Sequence, residues 1–137
     1  MRALGIDLGS KRIGVATSDR SGTIATPLTV LKRSGSRETD YQAIAELVTE
    51  YEIECVVVGL PLHMNGKYGD AAKSAVAEVQ QLTSVLSVPV LTFDERRTTV
   101  TADNILIEQN MNAQERRKVI DKVAAAVMLQ SWLDGRK

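Results

Sequence analysis

The spacing of apolar residues changes character along the chain and divides it into three stretches. In the first, residues 3–8 form a short apolar run that ends at Gly9-Ser10, a turn signal, and residues 13–18 follow at hairpin distance. A second turn at Ser21-Gly22 leads into residues 23–31, rich in β-branched side chains, where Pro27 suits an edge strand or a bulge. Three strands joined by short turns predict an antiparallel meander. In the second stretch, Ile44, Leu47 and Val48 recur at helical spacing within residues 39–51, with Tyr41 and Tyr51 on the same broad face. Residues 55–60 are a continuous apolar run of the kind covered on both sides of a sheet. Ala75, Val79, Leu82 and Leu86 then mark an amphipathic helix with Asp70 as a candidate N-cap. Residues 88–93 form another apolar strand that stops at Asp94-Glu95.

The third stretch is helical. A helix is expected over residues 99–108, and another from a capping-box-like start at Asn112-Ala113-Gln114-Glu115 to about residue 133. That last helix is expected to bury Val119, Ile120, Val123, Val127 and Met128, with Gly135 stopping it. Alternating helix and strand in the middle of the chain implies parallel strands. The predicted architecture is α/β: a mixed five-stranded sheet, three strands antiparallel and two parallel, with helices on both faces.

Length and composition narrow the possibilities. At 137 residues the chain reads as a single domain over 1–137. Seventeen basic residues balance seventeen acidic ones, so any attraction to nucleic acid or an anionic membrane has to come from a local patch. The aromatics Tyr41, Tyr51, Tyr68, Phe93 and Trp132 are too few and too scattered for a base-stacking platform. Cys55 stands alone, which excludes a disulfide framework and a cysteine-based zinc site. Asp7 interrupts any secretory hydrophobic segment, and no apolar run approaches a membrane span. A cytoplasmic protein with no membrane partner is expected.

Chemistry concentrates in acids at strand ends, where open α/β sheets place functional residues. Asp7 interrupts a strand between Ile6 and Leu8, Asp94-Glu95 terminates another, and Asp121 sits in the last helix four residues before Ala125. Each has a plain structural alternative: a turn acceptor for Asp7, a helix cap for Asp94, a first-turn acid for Glu95, and pairing with Lys118 or Lys122 for Asp121. Converging carboxylates repel one another unless cations neutralise them. Oxygen donors favour Mg²⁺ or Mn²⁺, and a two-ion site suits phosphodiester cleavage. Arg12, the Arg96-Arg97 pair and Lys118 are candidate phosphate contacts, with ordinary helix-surface charge as the alternative for Lys118 and the pair, and the favoured one for Arg97.

The stretch Gly5-x-Asp7-x-Gly9-x-x-Arg12-x-Gly14-Val15-Ala16 carries the most information. Gly9 is expected to supply positive φ at the turn, and Gly14 to permit close approach of a substrate or helix. Such a hairpin is similar to those of actin/hexokinase-type ATPases and of ribonuclease H-like nucleases, and one domain of this length suits the nuclease. Three further motifs follow in order: Val58-Gly59-Leu60-Pro61 with Asn65-Gly66, Asp94-Glu95-Arg96-Arg97-Thr98-Thr99, and Lys118-Val-Ile-Asp121-Lys-Val-Ala-Ala125. Together the four resemble the YqgF family, also called RuvX, of Holliday junction resolvase-like nucleases.

The resemblance implies a ribonuclease H-like fold. It makes Asp7, Glu95 and Asp121 both catalytic and metal-binding, with Arg12, Arg96 and Lys118 on the substrate. It implies a metal-dependent endonuclease that processes the 5′ end of small-subunit ribosomal RNA precursor. The alternatives are a branched-DNA resolvase or a non-catalytic nucleic-acid-binding module for ribosome assembly. Junction cutting favours a two-fold dimer and precursor trimming does not, and a monomer or weak homodimer is expected. The chain departs from the family at His63, which stands in the loop after Leu60-Pro61 where an asparagine is expected. Residues 63–68 read as a loop able to cover substrate.

Overall fold

The computed structural model describes residues 1–97 and 113–136, of which 113–119 are described by backbone alone. The expected helix over 99–108, the cap at Asn112 and the side chains of Lys118 and Val119 lie outside the described residues.

Strands β1 (Ala3–Leu8), β2 (Arg12–Ser18), β3 (Ala25–Lys32), β4 (Cys55–Leu60) and β5 (Val90–Asp94) form one sheet in the order β3-β2-β1-β4-β5. The first three are antiparallel neighbours, as the short turns predict, while β1–β4 and β4–β5 are parallel. Pro27 lies on the edge strand β3 opposite Ala16, where the register slips between Val15 and Ala16. There its missing N–H interrupts no central ladder. β4 is buried along its whole length, which accounts for its unbroken apolar run.

Helices α1 (Arg37–Glu50) and α2 (Asp70–Val85) cover one face of the sheet, and α3 (Ala113–Gly135) covers the other. Ser36 caps α1 by accepting the Thr39 N–H at 3.3 Å. Asp70 does not cap α2: Gly69 holds that position and makes no side-chain bond, so Asp70 is the first helical residue, where its charge suits the helix dipole.

Alternation along the central strands sorts the core into two layers. Leu4, Ile6, Ile13, Val15, Val56 and Val58 pack against Ile44, Val48 and Leu82 of α1 and α2. Each such side chain contributes about 1.5–3 kcal/mol on burial. Facing α3 are smaller groups, Ala3, Ala16 and Cys55 among them, which receive Ala125, Ala126, Met128, Leu129 and Leu133. Of the residues expected to be buried in this helix, Val123, Val127 and Met128 are buried, while Ile120 is partly exposed. Small residues on the sheet let α3 lie close to it, and that closeness builds the site.

Candidate active site

Asp7 occupies the carboxyl end of β1 on the face covered by α3. Its antiparallel partner on β2 is Gly14, and it lies one step beyond the parallel pair Ile6–Val58, beside Gly59 of β4. Neither flanking position has room for a side chain. A Cβ on Gly14 would collide with the Asp121 carbonyl of α3, and one on Gly59 would collide with the Glu95 carboxylate. The two glycines therefore seat the other two candidate acids on either side of Asp7. Gly14 does admit a crossing helix, as its place in the motif suggested. The role of Gly59 was not legible, because the side chain it admits comes from another strand's end.

Glu95 opens the 3₁₀ turn Glu95–Arg97 that follows β5, and its carboxyl and that of Asp7 are hydrogen-bond partners. Burial, then the Asp7 charge and this hydrogen bond, push the Glu95 carboxyl up to about 7. Burial also raises Asp7, the bond from Glu95 opposes that rise, and the nearby Asp121 charge adds to it. In the absence of a cation the pair retains a proton that isolated carboxyls would have released by neutral pH.

Asp121 is held from the hairpin: Arg12 Nε donates to Asp121 Oδ2 at 2.7 Å. Arg12 is thus a partner of Asp121, and it stands half exposed beside the acids, while the Lys118 side chain lies outside the described residues. Among the described residues no three acidic, histidine or cysteine groups form a preformed ligand cage, since Asp7 and Glu95 engage each other and Asp121 engages Arg12.

Asp94 caps the 3₁₀ turn by accepting the Arg96 N–H at 3.0 Å, and it pairs with the Arg96 guanidinium. Bonds from Arg96 hold its carboxyl below the ordinary value. Arg96 also donates to the Met64 carbonyl at 3.3 Å, tying the end of β5 to the β4–α2 loop. Arg97 lies over the Phe93 ring, 5.5 Å from its centre. The loop closes on itself: His63 N–H donates to the Lys67 carbonyl at 3.0 Å, and Gly66 N–H, at φ 84°, donates to the His63 carbonyl at 2.8 Å. The His63 ring packs against Gly69 at the start of α2.

Gly9 departs from expectation. It is not in the left-handed region; the turn is tight because its N–H donates to the Arg12 carbonyl at 2.9 Å, and a Cβ would strike that oxygen.

Comparison with known proteins places this geometry. A "Putative pre-16S rRNA nuclease" of Thermoanaerobacter pseudethanolicus is 44% identical over 138 residues, covering 100% of this chain and 99% of the relative. One of the same name from Caldanaerobacter subterraneus subsp. tengcongensis is 48% identical over 138 residues at the same coverage. Among solved structures, T. thermophilus RuvC in complex with Holliday junction substrate superposes with a TM-score of 0.61 at 16% identity, covering 99% of this chain and 95% of that one. The fold is accordingly the ribonuclease H-like fold of RuvC. The model of the family described as "RuvX: Holliday junction resolvase" matches residues 1–135, and with full-length relatives at this level of identity the chain belongs to the RuvX family.

Proposed function

We propose that this protein is a divalent-metal-dependent endonuclease that hydrolyses phosphodiester bonds in structured RNA, acting at the 5′ end of the small-subunit ribosomal RNA precursor in the cytoplasm. The observation that carries the reading is the gathering of Asp7, Glu95 and Asp121 from β1, the end of β5 and α3 at one sheet end, over Gly14 and Gly59. The name of the full-length relatives supports the substrate.

The donor set suits a hard cation. It is made of oxygens alone, and the Asp7–Glu95 pair keeps a proton that a bound ion would replace. Asp7, Glu95 and Asp121 would hold Mg²⁺ or Mn²⁺, with two ions fitting the number of carboxylates. Such ions supply an activated water and charge compensation at the leaving oxygen.

The chain's own groups do the rest. Asp7 and Glu95 give up their shared proton to present anionic oxygens. Arg12, on the hairpin rim, can turn from Asp121 to a substrate phosphate as bidentate guanidinium–phosphate pairing requires. Arg96 and Lys118 are proposed as further phosphate contacts. Arg96 would reach one from the guanidinium that Asp94 and the Met64 carbonyl hold, and Lys118 stands three residues before Asp121 in sequence.

The test is a side-by-side assay on precursor rRNA and a four-way DNA junction, with Mn²⁺ and with chelator, using wild type and Asp7→Asn. Metal-dependent cutting of the RNA by wild type alone is expected. Preferential junction cutting would reassign the substrate to branched DNA. Cutting by folded Asp7→Asn at the wild-type rate would remove the assignment of the acids, and metal-independent binding without cleavage would make the protein a binding module.

A further inference from the structure

Across the sheet from the acids, a second polar cluster grips the turn that joins Asp7 to Arg12. Arg33, just after β3, donates from Nε to the Gly9 carbonyl at 2.8 Å. Its two terminal nitrogens reach both carboxylate oxygens of Glu78 in α2, at 2.7 and 2.9 Å. The Tyr41 hydroxyl of α1 backs the same carboxylate at 2.7 Å. The Arg33 backbone N–H donates to the Lys11 carbonyl at 2.9 Å. One residue thus holds the turn at both Gly9 and Lys11, and buried side chains of two helices hold that residue.

A cavity of about 370 Å³ opens beside the turn, bordered by Leu8, Gly9, Ser10, Arg33, Arg37 and Glu78. Ala71 and Ala75 also line this cavity, and the guanidinium supplies a directed bond from outside the hairpin to the Gly9 carbonyl. Fork-to-carboxylate pairing is planar and directional, so it transmits position as well as attraction.

We propose that Arg33, braced by Glu78 and Tyr41, is a positioning residue that sets the β1–β2 turn and through it the placement of Asp7 and Arg12. The proposal rests on the nuclease reading for its effect on cleavage, while its effect on the turn stands apart from that reading. Asp7 lies two residues before Gly9 and Arg12 three after it. A shift of about 1 Å in such groups costs on the order of 100-fold in rate.

Two variants of the full-length protein test this. Arg33→Lys keeps a cation for Glu78 but lacks the Nε–H that reaches the Gly9 carbonyl. Arg33→Met with Glu78→Leu removes both charges and leaves neither buried alone, a replacement that folded proteins commonly tolerate. Both are expected to melt near wild type. Hydrogen exchange followed by mass spectrometry should show amides of residues 9–12 exchanging roughly tenfold faster or more, with those of β4 unchanged. On the cleaved substrate, kcat should fall roughly 10- to 100-fold with KM nearly constant, because misplacement affects the reacting geometry more than binding.

Unchanged exchange in the turn of a folded variant, or an equal rise throughout the sheet, would overturn the proposal, as would loosened turn amides with wild-type kcat. If the wild-type protein cleaves nothing, the nuclease reading fails, and the contrast in exchange between the turn and β4 still decides whether Arg33 sets the turn.

Discussion

The two faces of the sheet each take a glutamate carboxylate out of bulk water, and treat it oppositely. On the α1–α2 face, burial alone would raise Glu78, but bonds from Arg33 and Tyr41 outweigh it and hold the carboxyl below its ordinary value. On the α3 face, Glu95 meets another carboxylate instead of a guanidinium and is pushed up to about 7. One acid is satisfied by its surroundings, and the other is left needing a cation. Burial is common to both, so burial does not mark the functional acid. What marks it is a partner of the same sign.

The same substitution at both positions should separate these roles. Glu95→Gln is expected to lower cleavage by on the order of 10³-fold, the scale of losing a group that organises charge at the reacting centre, while its melting temperature in chelator stays at or above wild type. Glu78→Gln should do the reverse in emphasis. Leaving Arg33 short of its anion costs about 3 kcal/mol, or a fall in melting temperature of roughly 10 °C, with cleavage reduced far less than in Glu95→Gln. Equal losses of activity in the two variants would erase the distinction.

The two glycines beside Asp7 sharpen the contrast further. Gly14→Ala drives a methyl into the Asp121 backbone, which cannot yield without moving α3, so a destabilisation of about 2 kcal/mol is expected by thermal unfolding. At Gly59→Ala the nearest atoms the methyl meets belong to the side chain of Glu95, which can swing aside. Its stability should change by less than about 1 kcal/mol while cleavage falls roughly tenfold from the displaced acid.

The smallest effect concerns pH. A carboxyl whose folded pKa is depressed contributes stability that is present above its ordinary value of 4.5 and is lost as pH falls through the folded value. Wild type should therefore lose more stability than Glu78→Gln on acidification from pH 5 downward, which melting curves across that range would measure.

Local periodicity made much of this legible. The strand bounds of β4 match the apolar run 55–60, the antiparallel meander follows from turn spacing, and Asp7, Glu95 and Asp121 stand out because each interrupts or ends an apolar pattern. The clamp on the turn was missed, though a signal was present. Glu78 lies three residues after Ala75 and four before Leu82, inside the apolar stripe of α2, where a carboxylate has to find a buried partner. Arg33 carries no such signal, since it follows an edge strand where a charge is ordinary.

By itself the chain's order of residues determined the strands, the helices, which face of each is apolar, and which acids interrupt those faces. These follow from side-chain alternation and helical period, which act between near neighbours. Only the tertiary structure decided partners: that Glu95 meets Asp7, that Arg12 takes Asp121, and that Arg33 reaches Gly9 and Glu78 together. Charged groups choose partners by distance and exclusion of water, and both are set by how closely α3 and α2 settle on the sheet, which no local pattern encodes.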